Sequence, residues 1–208
     1  MTKDADEATT STVASPRVAT QSDRRPWIPG ETGIWVFIFI DLTVFLLLFA
    51  LFMYERSEQL PLFNQSTETL NVGVGAFNTL LLLTSSLCVA LGVDALRRRR
   101  AVAAQKWFIG TFLAGLAFAV VKSGEWTEKV GAGQTPDENK FYELYYVMTG
   151  LHFVHVVVGL GTIIMLWTIA RRERVGHKYV RATEAGACYW HMVDLLWIVL
   201  FGLFYLMQ

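Results

Sequence analysis

The chain has 208 residues, 53% of them hydrophobic, and a formal net charge of zero. That balance provides no basic surface for nucleic acid, and the repeated apolar runs of about 20 residues exclude an ordinary soluble domain. The two cysteines, Cys88 and Cys188, lie inside apolar runs with no CxxC spacing, as expected of small packing residues.

Residues 1–30 are rich in Thr, Ser, Ala, Asp and Arg. This composition predicts a disordered tail, and no apolar core follows a basic start as it would in a signal peptide. The remainder, 31–208, reads as one membrane domain. Five segments are long enough to span a bilayer: residues 33–54, 72–96, 107–126, 142–170 and 185–207. Each is expected to be helical, because unpaired backbone is expensive in hydrocarbon. The class is therefore all-α, a polytopic bundle of five transmembrane helices. Trp27, Trp35, Tyr54, Trp107, Trp126, Tyr142 and Trp167 fall near the span ends, as an aromatic belt would. Small residues mark expected close helix contacts: Gly73, Gly75 and Ala76; Gly110, Ala114, Gly115 and Ala117; Gly150, Gly159 and Gly161.

Basic residues alternate between the connecting segments. Lys3, Arg17, Arg24 and Arg25 precede the first span; Arg97, Arg98, Arg99, Arg100 and Lys106 follow the second; Arg171, Arg172, Arg174, Lys178 and Arg181 follow the fourth. The other connections carry only Arg56, Lys129 and Lys140, with Lys122 near the end of the third span, and they are more acidic. The positive-inside rule then predicts a cytoplasmic N-terminus and an outward C-terminus.

Within the spans stand residues that lipid does not tolerate cheaply, at roughly 2.5–3.5 kcal/mol for a central charge. Asp41 lies about eight residues into the first span, ~12 Å below its start. It is a candidate for proton exchange, or a neutral acid hydrogen-bonded to a neighbouring helix. Glu125 sits near the end of the third span, where an interfacial carboxylate would bind an adjacent helix. His152 and His155 share a helix face, as do Glu184, His191 and Asp194 on the last helix. Such spacing can seat a metal, but the Glu-x-x-His pairs of a di-metal carboxylate bundle are missing. A bis-histidine haem remains a further option. Interhelical hydrogen bonding is the plainer expectation for Glu125, His152, His155, Glu184, His191 and Asp194, with Asn78, Thr79, Thr84 and Ser85 suited to the same role. No nucleophile motif, phosphate loop or nucleotide fingerprint occurs.

These residues carry a resemblance. Glu184, Ala185, Tyr189, Trp190, His191, Val193, Asp194 and Trp197 resemble the Glu-Ala-x-x-x-Tyr-Trp-His-Phe-Val-Asp-x-x-Trp pattern of subunit III of the haem-copper oxidases, the cytochrome c oxidase subunit 3 family, with Met192 at the Phe position. Thr149, Gly150, His152 and His155 resemble its Thr-Gly-x-His-x-x-His segment, and Glu125-Trp126 its Glu-aromatic ending. The resemblance covers nearly everything after residue 30, but it is to the last five of the seven helices in full-length members. Asp41, in Ile-Asp-Leu-Thr-Val-Phe, stands where the family has a Glu; this and the five-span length are also similar to subunit III-like proteins associated with nitric oxide reductase.

The resemblance implies an accessory subunit without its own haem or copper, packed on a catalytic subunit I and with subunit II in the same complex. It implies support for proton uptake and stability of a respiratory oxidase, in the plasma membrane, with phospholipid as a further ligand. Haem and copper, or haem and non-haem iron, are expected in the partner. By position Asp41 would match the family's carbodiimide-reactive acid, and Glu125, His152, His155, Glu184, His191 and Asp194 would form a structural polar network. Trp126, Trp190 and Trp197 are the signature aromatics. A free-standing haem or metal enzyme using His152, His155 and His191 is the contrasting expectation.

Overall fold

A computed structural model describes residues 32–172 and 177–207. The expected tail, 1–30, with Trp27 and its basic residues, lies outside the described residues, as does Arg174. Six helices form in chain order: α1 (Thr32–Glu58), α2 (Leu60–Thr67), α3 (Val72–Arg97), α4 (Ala101–Gly131), α5 (Lys140–Ala170) and α6 (His177–Phe201), the last continued by a π-helical turn, Gly202–Leu206. Five are long and apolar enough to cross a membrane. All five expected spans are present, and the third is longer than its apolar run, covering 101–131 rather than 107–126.

The short α2 is an addition. Pro61 opens it, where a missing N–H costs nothing, and Phe63, Ser66 and Thr67 are buried beneath it. Phe63 stacks edge-on to Phe52 of α1 at 5.3 Å and Phe141 of α5 at 5.6 Å. The eight-residue helix therefore closes the end of the bundle over an aromatic cluster that includes Phe204.

Local chemistry sets the helix ends. Asn71 caps α3 by accepting from the backbone N–H of Gly73 and Val74 at 3.0 and 3.3 Å, and Asn139 caps α5 by accepting from Tyr142 N–H at 3.1 Å. The α3–α4 turn reverses at Arg99, with φ 58°. There Arg100 N–H reaches the Ala95 carbonyl at 2.9 Å and Arg99 N–H the Leu96 carbonyl at 3.0 Å. This is a Schellman closure, which usually takes glycine at the position held by Arg99.

Helix α3 packs most extensively on α4, and α6 lies against both α3 and α5. Helix α1 sits at the rim, touching α5, α6 and α2, with most of its apolar side chains exposed. Trp190 of α6 is the central knob. Its ring lies so close to α4 and α5 that a Cβ added at Gly115 would meet it at 2.7 Å, and one at Gly159 at 2.6 Å. Gly75 similarly admits Phe201 and Tyr205. Gly150 and Gly161, also expected at contacts, face open space, and Gly92 and Gly186, not singled out by sequence, are tight.

Gly159→Ala is therefore expected to destabilise the purified chain in detergent by about 1–3 kcal/mol, the usual cost of overpacking against a rigid ring. Gly161→Ala should leave the thermal midpoint unchanged. Equal midpoints for the two variants would refute this packing account.

Candidate functional site

The polar residues form separate clusters rather than one network. The first joins α1 to α5. His155 Nε2 lies 2.9 Å from Asp41 Oδ1, and His155 Nδ1 lies 2.7 Å from the Leu151 carbonyl. A carbonyl can only accept, so Nδ1 carries hydrogen. A hydrogen bond between Nε2 and the carboxyl then needs one more proton, either on the imidazole or on Asp41. The pair thus holds one proton between its two partners in either arrangement, and the sum of their charges is zero. Phe45 packs edge-on to the imidazole at 5.6 Å, and Tyr189 Oη donates to the His155 carbonyl at 3.2 Å. Asp41 Oδ2 has no hydrogen-bond partner among the described residues.

The second cluster centres on a lysine that sequence reasoning placed near a helix end. Lys122 lies within α4 and its side chain is 1% exposed. Its ammonium donates to Glu125 Oε1 at 3.2 Å, Tyr145 Oη at 2.9 Å and Tyr205 Oη at 3.0 Å. Both phenols in turn donate to Glu125 Oε1 at 2.6 Å. Three donors on the ammonium and three bonds to one carboxylate oxygen match a charged pair bridged by two neutral phenols. The rings of Tyr145, Trp197 and Tyr205 lie 4.8, 5.2 and 5.6 Å from the nitrogen, adding cation–π attraction. The cluster ties α4, α5 and the π-helical turn together. A cavity of about 380 Å³, lined in part by Glu125, Glu128, Lys129 and Gln134, opens beside it.

The third pair is at the opposite, basic end of the bundle. Arg97 donates through Nε and Nη2 to Glu184 Oε1 at 3.0 and 2.8 Å, linking α3 to α6 with the carboxylate buried. Farther along the same seam, Trp190 Nε1 donates to Ser85 Oγ at 2.9 Å and Trp197 Nε1 to Thr79 Oγ1 at 3.1 Å. His191 Nδ1 lies 2.6 Å from Ser86 Oγ.

Some expected roles fall differently. His152 is buried between Phe118 and Trp197, at ring distances of 5.8 and 5.4 Å, with neither nitrogen hydrogen-bonded among the described residues. Asp194 is buried, and neither of its carboxyl oxygens has a hydrogen-bond partner among the described residues. His152 and Asp194 thus stand outside the hydrogen-bonded clusters. Asn78 is buried with both amide atoms unpaired among the described residues, and Thr84 bonds back to the Leu80 carbonyl of its own helix. Trp126 packs on Phe153 and Tyr146. No three His, Cys, Asp or Glu side chains gather in a way that could hold a metal among the described residues. His191 faces out beside Ser86, while His155 is engaged by Asp41.

The family model described as cytochrome c oxidase subunit III matches residues 30–208. The chain belongs to that family. It is 33% identical over 180 residues to cytochrome c oxidase subunit 3 of Synechocystis sp., covering 84% of this chain and 74% of the relative. It is 34% identical to the subunit 3 of Thermostichus vulcanus, covering 84% of this chain and 86% of the relative. A heme-copper oxidase subunit I+III of Aeropyrum pernix is 28% identical over 85% of this chain and 22% of its own length. The chain is accordingly a multi-pass membrane protein and an accessory subunit III of a haem-copper oxidase.

Proposed function

We propose that this subunit supports an oxygen-reducing oxidase of the plasma membrane by packing on its catalytic subunit I, with subunit II in the same complex. The partner carries the haem and copper, and this chain contributes stability and a buried proton-holding pair. The observation that carries the reading is the way the polar residues are used. Arg97–Glu184, the bonds of Lys122 and Glu125 to Tyr145 and Tyr205, and the two indole bonds of α6 are consumed in holding helices together. Asp41–His155 instead holds one proton between a carboxyl and an imidazole, where the rim helix α1 meets α5. That fits an accessory role in proton uptake.

The proposed orientation follows the basic end, where Arg97, Arg171 and Arg172 cluster, and places it in the cytoplasm. An apolar groove of about 220 Å³ between α4 and α5, lined by Phe108, Phe112 and Trp167 among others, has the character of a phospholipid acyl-chain site. The compact length does not separate an oxygen-reducing partner from a nitric oxide reductase, and the named relatives favour the first. An oxidase subunit 3 is matched over 86% of its own length.

Affinity purification of the tagged chain from its own membranes in mild detergent tests this. A partner with haem and copper spectra and oxygen-reducing activity is expected. A partner with haem and non-haem iron would shift the assignment to nitric oxide reduction, and a haem spectrum from the isolated chain would overturn the accessory role.

A further inference from the structure

His191 sits in an unusual place for a polar side chain. Helix α6 and its extension cross from Tyr179 to Leu206, so His191 lies near the midpoint of the span, ~18 Å from Tyr179 by helical rise. The hydrocarbon layer is about 30 Å thick, so this is its middle. Yet the residue is exposed on the bundle surface. Nδ1 is used by Ser86 Oγ at 2.6 Å, and Nε2 makes no hydrogen bond among the described residues.

The exposed serine and threonine hydroxyls of the spans are satisfied by their own helices. Thr43 Oγ1 donates to the Phe39 carbonyl and Thr84 Oγ1 to the Leu80 carbonyl, each at 2.7 Å. An imidazole cannot turn back this way once Nδ1 is engaged across to α3, and its reach is too short to bring Nε2 to the headgroups from mid-depth. A half-satisfied imidazole facing acyl chains is costly, because lipid tails offer no partner. Around it the seam is apolar, with Leu83 on α3 and Leu195 and Ile198 on α6 exposed at helical spacing from Ser86 and His191. One hydrogen-bonding group within an apolar strip suits another membrane helix better than lipid. The rim helix α1 contrasts with it: Phe39, Leu46 and Leu47 are exposed and its exposed hydroxyl is satisfied, which suits lipid.

We infer that the α3–α6 seam around Ser86 and His191 is the docking surface for a transmembrane helix of the catalytic haem-copper subunit, which supplies a hydrogen-bonding group to His191 Nε2. The inference rests on the accessory-subunit reading given above. The naming of the Aeropyrum pernix relative as a subunit I+III makes the catalytic subunit the natural occupant.

The test uses the native complex in membranes. A photo-crosslinking residue replaces Leu195 on the seam or, as a control, Leu46 on α1. Leu195 is expected to give an adduct with the catalytic subunit, and Leu46 is not. In parallel, His191→Leu should reduce retention of the catalytic subunit through detergent exchange about fivefold to tenfold, while His191→Gln, which keeps two hydrogen-bonding atoms, restores it. An intact complex with no adduct at Leu195, an adduct there with a second copy of this chain, or full retention by His191→Leu overturns the docking surface alone. Purified material that never contains a haem-copper subunit overturns the functional reading and the docking surface with it.

Discussion

Lys122→Met is expected to prevent the chain from accumulating in folded form. The substitution keeps an apolar side chain of similar length but removes the charge that balances Glu125. In the intact cluster the ammonium and carboxylate are 3.2 Å apart, 1% and 9% exposed, and bridged by Tyr145 and Tyr205. Taking one partner from such a buried pair leaves an uncompensated charge, at a cost of about 3–5 kcal/mol. Loss of the ammonium's attraction to the three surrounding rings adds to this, at about 0.5–2 kcal/mol. A folded domain typically has about 5–15 kcal/mol in total, so the single change uses a large part of the margin. Glu125→Gln in the same chain should recover much of the loss, because both charges then go together and the phenols can still bond the amide oxygen. Yield of monodisperse protein and its thermal midpoint in detergent measure both effects. If the single variant is as stable as the double, the cluster is not an energetic centre of the fold.

This cluster also shows where the sequence was opaque. The five spans were legible because each is an apolar run of bilayer length, and nothing else in water-soluble chemistry repeats that five times. In sequence Lys122 reads as an end-of-span charge because the apolar run stops near Trp126, whereas α4 continues to Gly131. The extra turn carries Lys122 inward, where partners from α5 and the last turn of the chain surround it. Those partners are distant in sequence: Tyr145 and Tyr205 look like ordinary span aromatics until the helices pack. The eight-residue α2 was missed for a related reason. It is too short to show a period, and its buried face exists only because Phe52 and Phe141 are there to cover Phe63.

Shared-face arguments were informative about depth and less so about direction. Residues three apart on a helix are still ~60° apart around its axis. That angle is enough to split His191 from Asp194, one exposed on the seam and the other buried. It likewise splits His155, which meets α1, from His152, which lies between Phe118 and Trp197. The glycines behave in the same way: Gly159 admits an indole, whereas Gly161, two positions on, points to open space. Periodicity marks which residues are unusual for lipid, and only packing decides which neighbour each one meets.

Asp41→Asn is expected to leave α1 seated while removing the shared proton, and Asp41→Leu to loosen the helix. The tautomer of His155 decides the outcome. Because the Leu151 carbonyl holds hydrogen on His155 Nδ1, Nε2 of a neutral imidazole presents a lone pair. An asparagine amide N–H can donate to that lone pair, so the interhelical bond survives, but no titratable group faces the imidazole. A leucine offers nothing, and the half-buried Nε2 is left unpaired at a cost of about 1–3 kcal/mol. Helix α1 has few other ties to the bundle; one is Arg56 Nη2 donating to the Met207 carbonyl at 3.2 Å. Lower retention of the intact complex and faster proteolysis of the first span should therefore mark the leucine variant and not the asparagine one. The proton-holding role is read separately, by carbodiimide. Wild type should be modified at Asp41 with loss of oxidase turnover, whereas the asparagine variant should be unmodified there and correspondingly resistant. An asparagine variant that assembles normally yet is inhibited by carbodiimide as strongly as wild type would remove Asp41 from any part in proton exchange and leave it a helix tie alone.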